Sequence, residues 1–177
     1  MTGGPAVPAG PERTDPPFVA DEQRMLETWL DFHRATLLTK CAGLDDTQLR
    51  ERSVPPSTLS LIGLVRHMAE VERNWFRNVL ADEGAPPLFY DDDFPDGDFD
   101  LVDDADIAAD LATFHAEIDH ARDRVAAAGS LDDIGHRQRR GEDVSLRWIL
   151  VHMIEEYARH NGHADLLRQC VDGTVGE

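Results

Sequence analysis

Along this chain apolar side chains recur at the three- and four-residue spacing of a helix face in four long stretches, without the alternation of a half-buried strand. Met25, Leu26, Trp29, Phe32 and Leu37 mark a first helix from Asp21 to about Ala42, which Gly43 ends. Asp45 to Arg50 makes a short helical turn before Pro55-Pro56, which bars continuation. A second helix takes Ser57 or Thr58 as cap and runs to about Ala81, with an apolar stripe of Leu61, Leu64, Met68, Val71 and Trp75. A third spans about Asp103 to Ala128, with Phe114, Ile118, Ala121 and Val125 on one side and Gly129 as stop. The fourth runs from Ser145 as N-cap to Gly173. The pattern predicts an all-α protein, an up-down-up-down four-helix bundle. Residues 1–17, rich in Gly and Pro and without periodicity, read as a disordered leader, which leaves one domain over 18–177.

The fourth helix carries the chemistry. At about 100° per residue, His152 and His160 lie about 40° to either side of Glu156, and His163 about 20° away. Ile149, Met153 and Leu167 share that sector, which places four ionisable groups on the face expected to be buried. Unpaired, such groups cost several kcal/mol to bury or lose their charge. A divalent metal is the natural compensation, because Glu156 and His160 at i, i+4 project side by side and can share one ion. Two ligands hold a metal poorly. The best third is His67 on the second helix, where the apolar stripe meets Glu70 and Asn74, which could fix its tautomer. His33, flanking the first stripe, reads as structural, and His115 and His120 as exposed.

Composition narrows the partners. Asp and Glu outnumber Lys and Arg by 35 to 17, a net charge of −18 that repels phosphate backbones and anionic membranes. No apolar run approaches the ~20 residues of a membrane span, and the N-terminus lacks a secretory pattern. Cys41 and Cys170 are too few for a disulfide framework, so a reducing cytoplasm is expected. The loop Gly84 to Asp100 contains Asp91-Asp92-Asp93 without the ligand spacing of a calcium loop, and reads as solvated acid. Its Phe89, Tyr90, Phe94 and Phe99 are expected to fold over a cavity as a lid. In the loop Ser130 to Asp143, Arg137, Arg139 and Arg140 are expected to pair with the Asp-rich loop, the alternative being an anionic ligand.

A histidine on the second of four helices, then E-x-x-x-H on the fourth, resembles the DinB-like (YfiT-like) superfamily of bacterial metal-binding four-helix bundles. The pieces that match are LSLIGLVRHMAEVERNWF and VHMIEEYARHNGHADLLRQ, and the likeness extends from Phe18 onward. On that resemblance the family's three metal positions fall on His67, Glu156 and His160. Glu at the middle position is similar to the mycothiol-dependent maleylpyruvate isomerase branch. His163 and Asn161 stand where the family usually has Gln and Arg. The resemblance implies a divalent ion, Zn²⁺ or Ni²⁺, and a low-molecular-weight thiol, mycothiol or bacillithiol, as cosubstrate. A chain rich in Ala, Arg, Asp and Gly suggests a high-GC genome, and hence mycothiol.

The expected function is a metal-dependent thiol S-transferase or isomerase acting on a small electrophile, with His152 or His163 beside the ion or acting as general base. The alternatives are metal-assisted hydrolysis and a non-enzymatic metal-binding or stress-response bundle. A homodimer is expected from the resemblance.

Overall fold

A computed structural model describes residues 6–8, 10 and 12–176. Six α-helices and one π-helical segment carry the fold, and the described residues include no strand. The all-α expectation is met. The proposed leader falls partly outside the described residues; within its described part, Val7 exchanges two backbone hydrogen bonds with Gly43 and Leu44, each 2.9 Å.

α1 (Glu22–Cys41) begins where the Asp21 carboxylate accepts from the Arg24 N–H. α2 (Asp46–Arg50) is closed at its start by Asp45 and Gln48 capping each other. α3 (Leu61–Glu72) starts three or four residues after Ser57 and Thr58, the caps expected from sequence, because Ser60 supplies the cap by accepting from Gly63 N–H at 3.1 Å. Ser57 Oγ is instead taken by the Leu59 N–H. The helix then widens into a π-helical segment, Arg73–Leu80. α4 (Gly97–Asp100) is a single turn inside the acidic loop. α5 (Ile107–Ala127) starts later than expected, since Asp106, not Asp103, caps it. α6 (Leu146–Asp172) has the two ends read from sequence, Ser145 accepting from Trp148 N–H and Gly173 at φ 78°.

α1 packs along α6, and α3 with its π-helical extension packs along α5; contacts of α3 with α6 and with α1 join the two pairs. The apolar centre includes Leu30, Leu37, Leu64, Met68, Phe76, Phe114, Ile149 and Met153, all at most 1% exposed. Each such side chain contributes roughly 1.5–3 kcal/mol of transfer free energy. On α1 the buried face is rotated from the one expected: Leu30, Arg34, Leu37 and Cys41 point inward and Trp29 is 41% exposed.

The cause is Arg34. Its guanidinium grips Glu72 with two bonds of 2.7 Å, and Tyr157 OH donates to the same carboxylate at 2.7 Å. The cluster ties α1, α3 and α6 together inside the core. Burial alone would lower the Arg34 pKa, but the Glu72 carboxylate outweighs it and holds the group above its ordinary value. Burial, then Glu72, raises the Tyr157 hydroxyl well above the usual phenol range. Across the other pair, Arg66 faces Asp110 at 3.3 Å and Arg73 donates to Glu117 at 2.5 Å. Cys41 is buried and Cys170 exposed, and both are free thiols.

Candidate functional site

Three side chains from two helices meet where α3 touches α6. The ligand atoms of His67, Glu156 and His160 all lie within 4.8 Å of one another. On α6, the i, i+4 spacing sets His160 Nε2 3.5 Å from Glu156 Oε2. From α3, the His67 ring reaches the His160 ring with centroids 4.8 Å apart. These are the three residues singled out from sequence.

Each histidine is oriented by a second group. His67 Nδ1 lies 2.8 Å from Asp98 Oδ2, and a carboxylate can only accept, so Nδ1 donates and Nε2 is the nitrogen left for another partner. Phe99, the next residue of α4, stacks on the same ring at 4.8 Å. The turn comes close because Gly97 lacks a side chain: a Cβ there would lie 2.4 Å from the Phe89 carbonyl oxygen. His160 Nδ1 lies 3.4 Å from His163 Nδ1. Burial first, then the neighbouring His67 and His163, push the His160 pKa down to about 4, so the imidazole is neutral near pH 7.

Glu70 and Asn74 do not fix the His67 tautomer. Glu70 Oε1 accepts from the Leu88 and Phe89 N–H groups, both at 2.6 Å, and burial raises its pKa above the ordinary carboxylate value. Asn74 lines the cavity instead. Asp98 is the residue sequence reading missed. It sits in the acidic loop, and the only sequence signal for it was the aromatic at Phe99 beside it.

The four ionisable groups of α6 lie along the edge of its buried face rather than its middle. The buried centre is Ile149, Met153, Tyr157, Ala164 and Leu167, and only His160 among the four is itself buried. His152 stacks on Trp148 at 4.9 Å and meets Trp75 edge-on at 4.7 Å. Its Nε2 lies 3.6 Å from Glu156 Oε1, so that carboxylate faces His160 with one oxygen and His152 with the other. His152, Glu155 and Glu156 form a second acidic-imidazole group, but all three lie on one turn and Glu155 is exposed.

Two of the three, His67 and Glu156, line a cavity of about 990 Å³, together with Trp75, Tyr90, Phe99, Arg139, Trp148 and His152 among others. Of the expected lid aromatics, Tyr90 and Phe99 reach the cavity, Phe94 is 50% exposed, and Phe89 lies under the Arg66 guanidinium at 4.4 Å. Asp91 is turned to its own loop, accepting from the Asp93 and Phe94 N–H groups. Arg137, Arg139 and Arg140 make no ion pair with the Asp-rich loop or with any other described carboxylate. That expected pairing is not formed, because their loop is tied to the far end of the π-helical segment: His136 and Arg137 N–H groups donate to Leu80 and Val79.

Against this geometry, the family model for mycothiol-S-transferase matches residues 25–173. The chain belongs to the mycothiol-S-transferase family. The match to that family covers His67, Asp98, Glu156 and His160 as well as the cavity-lining arginines. A comparison with curated proteins gives no match. No helix among the described residues is long and apolar enough to cross a membrane.

The donor set suits a borderline-soft divalent ion. Two imidazoles and one carboxylate form the protein part of an open tetrahedral site, whose ligand atoms stand about 3.4 Å apart. The Glu156 and His160 pair is already at that spacing, at 3.5 Å. The hydrogen bond from His67 to a buried carboxylate is the usual outer support of a metal-binding imidazole.

Proposed function

We propose that this protein transfers a low-molecular-weight thiol of the mycothiol type to a small electrophile, with a divalent ion held by His67, Glu156 and His160. The observation that carries the reading is the convergence of these three side chains, with His67 and Glu156 at the wall of a large cavity, in a chain of the mycothiol-S-transferase family. Zn²⁺ and Ni²⁺ fit the ligands best. Such an ion supplies positive charge that favours the deprotonated, nucleophilic form of a thiol.

The chain's own residues do the rest. Asp98 engages Nδ1 of His67, so that Nε2 is the nitrogen left to hold the ion. His163 lies against Nδ1 of His160, whose Nε2 is turned towards Glu156. His152, at the cavity wall beside Glu156, is the base we assign to the thiol proton. Trp75, Phe99 and Trp148 give the electrophile an apolar surface from which water is displaced. We read the helix pairs as an up-down-up-down four-helix bundle, and the protein as cytoplasmic and homodimeric.

Elemental analysis of the purified protein and of His67→Ala tests the centre. About one divalent ion per chain in the wild type, lost in the variant, supports it; equal metal in both would overturn it. Thiol-dependent consumption of a chromogenic electrophile then separates transfer from metal-assisted hydrolysis, which needs no thiol, and from a bundle that binds metal without turnover.

A further inference from the structure

Arg139 and Arg140 are anomalous in this molecule. In a chain with 35 acidic and 17 basic residues, most arginines hold a carboxylate within 4.0 Å. Among the described residues these two hold none, although both line the cavity that contains His67 and Glu156. We infer that they form the anion-binding end of that cavity, and that the electrophile accepting the thiol carries a carboxylate and a planar apolar body. The inference rests on the transferase reading and names the class of its second substrate.

The loop is built to hold them there. Arg139 and Glu142 exchange two backbone hydrogen bonds, of 2.9 and 3.1 Å, across a two-residue turn. Arg140 takes φ 56° and Gly141 φ 82° within it. Such a turn favours Asn or Gly at its first position, and an arginine is strained there. A side chain kept in a disfavoured backbone conformation at a cavity wall is a functional signature. The base of the loop is equally constrained, since a Cβ on Gly135 would lie 2.7 Å from the Val79 carbonyl oxygen.

Below the guanidinium lies the apolar half of the subsite. Arg139 Cζ stands 5.8 Å from the centre of the Trp75 ring. Trp75 in turn contacts Trp148 at 5.2 Å and His152 at 4.7 Å, and His152 reaches Glu156 at 3.6 Å. A continuous run of contacts thus links Arg139 to the proposed ion. Carboxylates line the same cavity, but Asp98 is held by His67, Glu70 by two N–H groups and Asp143 by Gln138. Glu142 and Asp96 are also at the wall, and Arg139 and Arg140 are the basic residues that face this otherwise acidic lining.

On a conjugated acid the step is an addition. The thiol sulfur forms the new C–S bond with its lone pair, the alkene π pair moves to the adjacent carbon, and the thiol proton ends on that carbon. Nothing is released, and neither oxidant nor reductant is consumed.

Benzoylpropionate, a saturated keto acid that cannot add a thiol, and its methyl ester are the binding probes. Titration calorimetry on the metal-loaded protein should show the acid binding about tenfold more tightly than the ester, the worth of one charge-assisted hydrogen bond. In the Arg139→Gln/Arg140→Gln double variant that preference should vanish while ester binding stays. Equal binding of acid and ester in the wild type, or a preference that survives the double substitution, would overturn the inference. Benzoylacrylate and its methyl ester, assayed with mycothiol and corrected for the uncatalysed addition, give the second readout. In the double variant the acid should lose its advantage in KM and not in kcat. If the acid preference in binding stands but neither compound is turned over, the subsite survives and the transferase reading falls.

Discussion

Glu72 and Glu156 are carboxylates on two helices that touch each other, and their surroundings differ in kind. Glu72 is fully buried, and three bonds of 2.7 Å from Arg34 and Tyr157 use its lone pairs. Glu156 is half-buried and has neighbours only at 3.4 to 3.6 Å: Arg159, His152 and His160. One carboxylate is consumed by the fold. The other is presented to a cavity with its bonding capacity open. An ionised group inside a helical protein is therefore diagnostic of a site only when its partners leave room for another.

The sharpest way to break that comparison is to remove each carboxylate in turn. Glu72→Ala strands the Arg34 guanidinium in the core, and should cost about 3–5 kcal/mol of unfolding free energy. Glu156→Ala in the metal-free protein should cost less than about 1 kcal/mol, because its contacts are long and partly solvated. The same change should abolish stoichiometric metal. Urea melts and elemental analysis of the two variants check both halves. If Glu72→Ala proves as mild as Glu156→Ala, partner saturation does not separate fold from site.

The sequence revealed the open carboxylate more readily than the closed one. Glu156 and His160 stand four residues apart on a helix whose ends are marked by Ser145 and Gly173, and His67 lies where the second stripe meets polar Glu70 and Asn74. Helix periodicity sufficed to bring those residues together. Periodicity could not show that Arg34 faces inward, since a guanidinium reads as polar until its partner, 38 residues away, is placed. For the same reason the α1 face was drawn through Trp29. Asp98 was hidden differently: it belongs to a one-turn helix whose position depends on Gly97 passing close to Phe89, a contact with no period. The unpaired state of Arg139 and Arg140 depends on where their loop is anchored, and that is a tertiary fact.

A second, smaller test asks whether Asp98 belongs to the open site or to the fold. Asp98→Asn keeps the shape but removes the charge that holds the proton on His67 Nδ1. Metal affinity should fall by about 10–100-fold, the usual cost of losing an outer carboxylate on a metal-binding imidazole. Competition with a chromogenic chelator measures it. Unchanged affinity together with a lowered melting temperature would move Asp98 to the side of Glu72.

Asp110 lies between the two extremes and gives the smallest effect. It is buried against Arg66 at 3.3 Å, but its Oδ2 makes no hydrogen bond. Burial raises its pKa above the ordinary value, and the opposing pull of Arg66 does not cancel that. The folded state therefore keeps a proton that the unfolded chain has already released. For a carboxyl raised in this way, the stabilising contribution is complete below the unfolded pKa of about 3.9 and is lost as pH rises through the folded value. Asp110→Asn cannot titrate, so the stability of the wild type relative to this variant should decline as pH rises from about 4 towards neutrality. Parallel urea melts across that range measure the difference. A difference that stays flat, or grows with pH, would mean that Arg66 satisfies Asp110 as completely as Arg34 satisfies Glu72. In that case an ion pair without hydrogen bonds would be enough to close a buried carboxylate, and the loose contacts around Glu156 would lose their value as a sign of a site.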